Sequence, residues 1–281
     1  MSDDFIGIDL GGSTLKAVRV NGVGRVLLRH IGPAGGKIVR EDLVNVVRKA
    51  LQHLSFKEGP IGICFGGAIQ PNGMMLPTST NLPNIANLPL VRYFEQQLGC
   101  TVRIENDARA AMLGEAWSGA ARNVRSAITL TFGTGIGSGI MLDRKIISGA
   151  HGRAGEIGVW KLNDEPLQGE WLTYEDLAAP GRVETKTGKR FESIFKSGEA
   201  KNMIIWTGRA LANAHLLLDL EMAVLLGGIT ELGEPLRAAV ARAFQSSCQE
   251  DYQDGFEIKL GEHGAFAGAV GAASLWRGAV S

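Results

Sequence analysis

The sequence predicts an α/β protein made of two similar halves, and three observations carry that expectation. A strand, a glycine turn and a second strand open the chain over residues 5–20 and return over residues 127–142, a recurrence at about 120 residues that reads as internal duplication. Short apolar strands alternate with segments of helical apolar spacing. The 281 residues suffice for two cores, since single cores tend to split near ~250–300 residues.

Composition narrows the function class. Lys and Arg total 29 against 29 Asp and Glu, so no net charge draws the chain to nucleic acid or an anionic membrane, and neither is expected as a partner. Cys64, Cys100 and Cys248 lie far apart, which argues against a disulfide framework or a local zinc site and for a reducing, cytoplasmic compartment. The opening residues lack a signal-peptide pattern, and no apolar stretch approaches the ~20 residues of a membrane span. Glycine is the anomaly: 38 residues, roughly twice the usual ~7%, mark many turns and close backbone approaches.

In chain order, Phe5-Ile6-Gly7-Ile8-Asp9-Leu10 and Thr14-Leu15-Lys16-Ala17-Val18-Arg19-Val20 predict an antiparallel hairpin closed by Gly11-Gly12-Ser13, with a third strand after Asn21-Gly22. Leu43, Val46, Val47, Ala50, Leu51 and Leu54 then recur at helical spacing over residues 39–54. Ile61-Gly62-Ile63-Cys64-Phe65 reads as a buried strand ending in Gly66-Gly67, followed by a Pro- and Asn-rich loop and a helix at Leu90–Leu98. Val102-Arg103-Ile104 is a short strand, and Asn106-Asp107 opens an alanine-rich helix. The second half begins with a strand over residues 127–132, the turn Gly133-Thr134-Gly135-Ile136-Gly137-Ser138-Gly139, and Ile140-Met141-Leu142. The pattern weakens into polar sequence from 144 to about 200. A helix near 202–219, a strand at Ala223-Val224-Leu225-Leu226 ending in Gly227-Gly228, a helix begun by Pro235, a strand at Ile258-Lys259-Leu260 and a small-residue helix over 264–276 complete the chain.

Gly133, Gly135 and Gly137 invite a dinucleotide fingerprint, but that motif needs a helix after its turn, and here a strand follows. The first turn fails the same test, and no P-loop pattern occurs. Glycine hairpins can still hold phosphate: their backbone N–H groups converge on an anion, with hydroxyls from Ser13, Thr14 and Thr134 and the charge of Lys16 as further donors. The alternative is a pair of ordinary hairpin turns. Asp9 adds weight, because a carboxylate in an apolar strand needs a partner, and magnesium on nucleotide phosphates would supply one.

These residues resemble the ROK family (repressor, open reading frame, kinase) of sugar kinases, within the actin and hexokinase superfamily. Asp9-Leu10-Gly11-Gly12-Ser13-Thr14-x-Lys16 matches the family's first phosphate motif, with Ser13 where Thr is commoner. Residues 131–139 resemble its second phosphate motif and Leu226-Gly227-Gly228 its adenosine motif. Asn106-Asp107-Ala108 matches the pair holding the catalytic base, and Gly155-Glu156-Ile157-Gly158 most of a Gly-Glu-x-Gly-His sugar motif. The matches run in family order from residue 6 to about 276.

The resemblance implies a two-domain actin-like ATPase (ribonuclease H-like) fold with the active-site cleft between domains. Residues 1–118 would form a small domain completed by the C-terminal helix of 264–281, and residues 119–263 a large one. ATP would lie with its phosphates against Asp9, Gly11, Gly12, Ser13, Thr14, Lys16, Gly133, Thr134 and Gly135 and its adenosine near Gly227 and Gly228, while Asp9 holds Mg2+ through water. Asp107 would be the catalytic base; it reads also as an N-cap or first-turn carboxylate of the helix that follows, and both roles can hold. Asn81, Asn106, Asp107, Glu156 and Glu175 would bind the sugar. Asn81 reads also as a turn residue and Glu175 as a helix-start carboxylate.

Two departures qualify the match. Val159 stands where the motif has His, and residues 160–174 lack the family's zinc-binding cysteines, so no zinc is expected. His151 is either a substitute sugar contact or a solvated loop residue. The implied activity is ATP-dependent phosphorylation of a hexose or N-acyl amino sugar, on a cytoplasmic homodimer. The alternatives are a non-catalytic sugar-binding repressor, disfavoured because only five residues precede Ile6, and an ATP-hydrolysing activator, disfavoured by the Gly-Glu-x-Gly motif.

Overall fold

The structure, a computed structural model, describes residues 4–34, 40–67, 69–70, 74, 88–162 and 172–277. The chain forms two compact units: Met1–Arg122 with Ser148–Ala154 and Phe266–Ser281, and Asn123–Ile147 with Gly155–Ala265.

In the first unit, β1 (Phe5–Leu10), β2 (Thr14–Val20) and β3 (Val26–Pro33) form an antiparallel meander. After α1 (Arg40–His53), β4 (Ile61–Phe65) lies parallel to β1; after α2 (Leu90–Leu98), β5 (Val102–Asn106) lies parallel to β4. The order is β3-β2-β1-β4-β5. Leu43, Val47 and Ala50 of α1, Leu54 just after it and Phe94 of α2 are buried with Ile6, Ile8, Ile63 and Phe65 in one cluster, as the helical spacing predicts. Gly99 stops α2 in the left-handed conformation, with φ 69°, where a side chain would be strained. The unit's next helix, α3 (Asp107–Ser118), follows β5 without a loop.

In the second unit, β6 (Ala127–Phe132), β7 (Ile136–Leu142) and β8 (Lys145–Ile146) form a second antiparallel meander. Three short helices follow, α4 (Tyr174–Ala178), α5 (Pro180–Thr187) and α6 (Phe191–Lys196), and then the long α7 (Lys201–Leu218). Strand β9 (Met222–Gly227) lies parallel to β6, and after α8 (Glu234–Ser247) strand β10 (Glu257–Leu260) lies parallel to β9. The order β10-β9-β6-β7-β8 repeats the first sheet in sequence and strand sense, so the expected duplication is present in the topology.

Helices α4 to α6 occupy the stretch where the sequence pattern weakens. At five, eight and six residues they are too short to show a helical period, yet their punctuation is in the sequence. Thr173 and Asp176 form a reciprocal capping box at α4, Pro180 stands in the first turn of α5, and Gly188 ends it in the left-handed region.

The last helix, α9 (Ala267–Ser274), returns to the first unit. Gly7 and Gly62, register partners on β1 and β4, form a shallow seat for it: an added Cβ would lie 1.9 Å from Ala269 O at Gly7 and 1.8 Å from Ala272 O at Gly62. On its far side Gly271 meets α3, where a Cβ would stand 1.6 Å from Ala110 O. The helix is thus packed backbone to backbone, and residues Ala267 to Ala273 are all buried. No helix among the described residues is long and apolar enough to cross a membrane.

Candidate active site

Three parallel strands of the first unit end in register. Asp9 pairs with Cys64 and Leu10 with Phe65 across β1–β4, and Phe65 pairs with Asn106 across β4–β5. Adjacent strands are ~4.8 Å apart, so the ends of β1 and β5 stand about 10 Å from one another. The carboxyl edge of such strands is where open α/β sheets bind ligands.

Asp9 lies on this edge beside the Gly11-Gly12-Ser13 turn, which Gly11 N closes by donating to Thr14 O at 3.0 Å. Its side chain is 15% exposed, and Lys16 Nζ approaches Oδ2 at 3.5 Å. Burial pushes the carboxyl above its ordinary pKa, against the opposing pull of Lys16 and of a hydrogen bond from Cys64. One ammonium at long range does not compensate the burial, so the carboxylate suits a further cation. Magnesium takes one or two carboxylates and keeps several waters, which fits a single acidic side chain beside the Gly11-Gly12-Ser13 turn.

Asn106 and Asp107 stand where β5 becomes α3. Asn106 caps the helix: its Oδ1 accepts from Arg109 N at 3.0 Å, and its Nδ2 donates to Gly67 O and Asp107 Oδ1, each at 3.1 Å. Ala108 N also donates to Asp107 Oδ1, at 2.8 Å. Asp107 is therefore oriented by its own helix start, where Asn106 is the cap and Asp107 the first-turn carboxylate.

Arg109 and Cys64 are features that the motif reading passes over. Arg109 is a buried cation, 3% exposed, paired with Glu105 at 2.7 Å and donating to Gly152 O at 3.0 Å. It pins the 148–154 segment beside α3; Gly152, at φ 70°, also abuts the backbone of Ile69. His151 on that segment is exposed. A buried arginine three residues past a cap Asn carries little sequence signal, and Cys64 becomes a neighbour of Asp9 only through the β1–β4 register.

In the second unit, Gly133-Thr134-Gly135 closes the β6–β7 hairpin, with Gly133 N donating to Gly135 O at 3.0 Å. Gly181 at the start of α5 donates its N–H to Gly133 O at 3.0 Å, and a Cβ there would stand 2.8 Å from Thr134 Cα. A cavity of about 550 Å3 opens beside this turn, lined by Phe132, Gly133, Thr134, Gly228, Ile229 and Glu231 among others. It joins the Gly133-Thr134-Gly135 turn to Gly228, one of the two glycines expected near adenosine; Gly227 takes φ 103° against the Phe132 backbone.

Glu175 braces the same turn. Its Oε2 accepts from Ile136 N at 3.3 Å and its Oε1 pairs with Arg182 at 2.5 Å. Gly158 lies against Ile136 O, and a Cβ there would meet Glu175 Oε2 at 3.3 Å. Gly155, at φ 89°, accepts from Ser138 Oγ. The two glycines of the Gly-Glu-x-Gly motif thus seat the segment against β7, with Gly158 beside Glu175, and Glu156 between them is exposed. Val159 is 55% exposed. Asn81 lies outside the described residues.

The two mixed five-stranded sheets with helices give an actin-like α/β fold. The ROK family model matches residues 5–171 and 193–279, and the chain belongs to that family. A glucokinase of Halalkalibacterium halodurans is 26% identical over 312 aligned positions, covering 96% of this chain and 94% of the relative. A xylose repressor of Caldicellulosiruptor bescii is 34% identical over 167 positions, 57% of this chain and 41% of the repressor. The crystal structure of a ROK family glucokinase from Streptomyces griseus, in complex with glucose and AMPPNP, matches with a TM-score of 0.84 at 24% identity, covering 97% of this chain and 98% of that one.

Proposed function

We propose that the chain is an ATP-dependent carbohydrate kinase that transfers a phosphoryl group to a hydroxyl of a hexose or N-acyl amino sugar. The observation that carries this is the row of groups on one sheet edge: Asp9 at the end of β1, Gly67 after β4, and Asn106 with Asp107 after β5. The about 10 Å between the outer strands leaves room for a phosphoryl group and an alcohol between an ion-facing carboxylate and a proton acceptor. A glucokinase similar over nearly the whole chain supports the same activity.

In this mechanism Asp107 accepts a hydrogen bond from the sugar hydroxyl and takes its proton as the oxygen attacks the γ-phosphorus and the bond from that phosphorus to the bridging oxygen breaks, releasing ADP. The α3 N-terminus favours negative charge there, and Asn106 and Ala108 fix its direction, so positioning contributes more than basicity. Asn81, Asn106, Glu156 and Glu175 engage the remaining hydroxyls. The Gly11-Gly12-Ser13 and Gly133-Thr134-Gly135 turns offer backbone N–H groups to the phosphates, with Thr14 and Lys16, and the cavity at Gly227 and Gly228 takes the adenosine. Asp9 would hold magnesium through water, and the ion would neutralise phosphate charge.

The test is ADP release with glucose, mannose, allose, fructose, N-acetylglucosamine and N-acetylmannosamine, against a control without sugar. Turnover that depends on one of these sugars is expected. A second reading, sugar binding without catalysis, draws on the similarity to a xylose repressor; a bound sugar with no ADP release across the panel would favour it. ATP consumption independent of sugar would contradict both.

A further inference from the structure

We propose that Cys64 is a positioning residue for Asp9: its thiol donates a hydrogen bond to the carboxylate and fixes the direction in which that group faces the phosphate turn. This rests on the kinase proposal above and deepens its metal-facing side.

The geometry starts from the sheet. β1 is the central strand, with β2 on one side and β4 on the other. Asp9 is the register partner of Lys16 on β2 and of Cys64 on β4, and register partners project to the same face. The carboxylate is therefore flanked by an ammonium on one side and a thiol on the other. Helix α9 closes over the pair at a glycine: a Cβ at Gly268 would lie 3.1 Å from Asp9 Oδ2 and 3.3 Å from Cys64 Sγ. Carboxylate and sulfur thus share one confined space that only a residue without a side chain leaves open.

The chemistry of the sulfur suits this use. Cys64 is wholly buried, and a thiol carries one S–H that can donate to a carboxylate. Lys16 alone leaves the Asp9 carboxylate free to swing about a 3.5 Å contact; a donor on the opposite strand removes that freedom.

The experiment compares the native chain with Cys64→Ala and Cys64→Ser by calorimetric titration of AMPPNP with and without magnesium, alongside thermal midpoints. Loss of the donor in Cys64→Ala should weaken the magnesium-supported affinity about fivefold, the size of one net hydrogen bond, and leave metal-free AMPPNP binding unchanged, while the hydroxyl of Cys64→Ser recovers affinity to within about twofold. A packing role would instead weaken binding equally with and without magnesium, or lower both variants alike, and would overturn the proposal. Native affinity in Cys64→Ala would overturn it too. A native chain that binds no AMPPNP would sink the kinase reading itself, and this inference with it.

Discussion

Asp9 occupies a position where burial makes its charge costly. Its carboxyl pKa is raised, chiefly by burial. A group shifted this way contributes its stability below the ordinary value of 3.8 and loses it as pH rises through the folded value, so at neutral pH the ion-free fold holds a charged carboxylate at a cost. Asp9→Asn should therefore raise the thermal midpoint at pH 7, by an amount that shrinks as pH falls toward 3.8, while magnesium-dependent nucleotide binding is lost. A lower midpoint at pH 7 would show that Lys16 already satisfies the carboxylate. The oddity of Asp9 was legible from its apolar strand, as was Asp107 from its place at a helix start. The partners that give these residues their direction were not, because Cys64, Gly67 and Gly268 are distant in sequence and meet them only through sheet register and the return of α9.

At the scale of elements, small residues decide how closely helices and strands approach. Gly7 and Gly62 seat α9 on the sheet, and Gly271 lets it touch the backbone of α3. That explains the glycine excess better than turns alone. Gly271→Ala forces a methyl into the Ala110 carbonyl and should destabilise the fold by about 3 kcal/mol, the upper part of the usual overpacking range, as read from the denaturant midpoint. Gly228→Ala, whose methyl meets open space, should stay within about 0.5 kcal/mol of native. Equal effects at both positions would contradict the packing account. Hairpins and long amphipathic helices such as α1 were readable because period and turn chemistry agree. Helices α4 to α6 were not, since five to eight residues give too few turns for a period and only caps mark them.

For the whole molecule, two sheets with one strand order place a glycine hairpin at the start of each unit. Duplication was visible from the repeated strand-turn-strand pattern, but the segment 148–154, which groups with the first unit, follows from the Arg109 and Ile69 contacts and not from any local signal. The central claim is that phosphoryl transfer to a sugar depends on the carboxylate at the start of α3. Asp107→Asn keeps the shape and the cap while removing the proton acceptor. Steady-state ADP release from a sugar that the native protein phosphorylates, with sugar affinity measured separately by calorimetry, tests it most directly. Turnover should fall by at least about a hundredfold, as for loss of a general base, with sugar affinity largely kept; near-native turnover in Asp107→Asn would contradict the account.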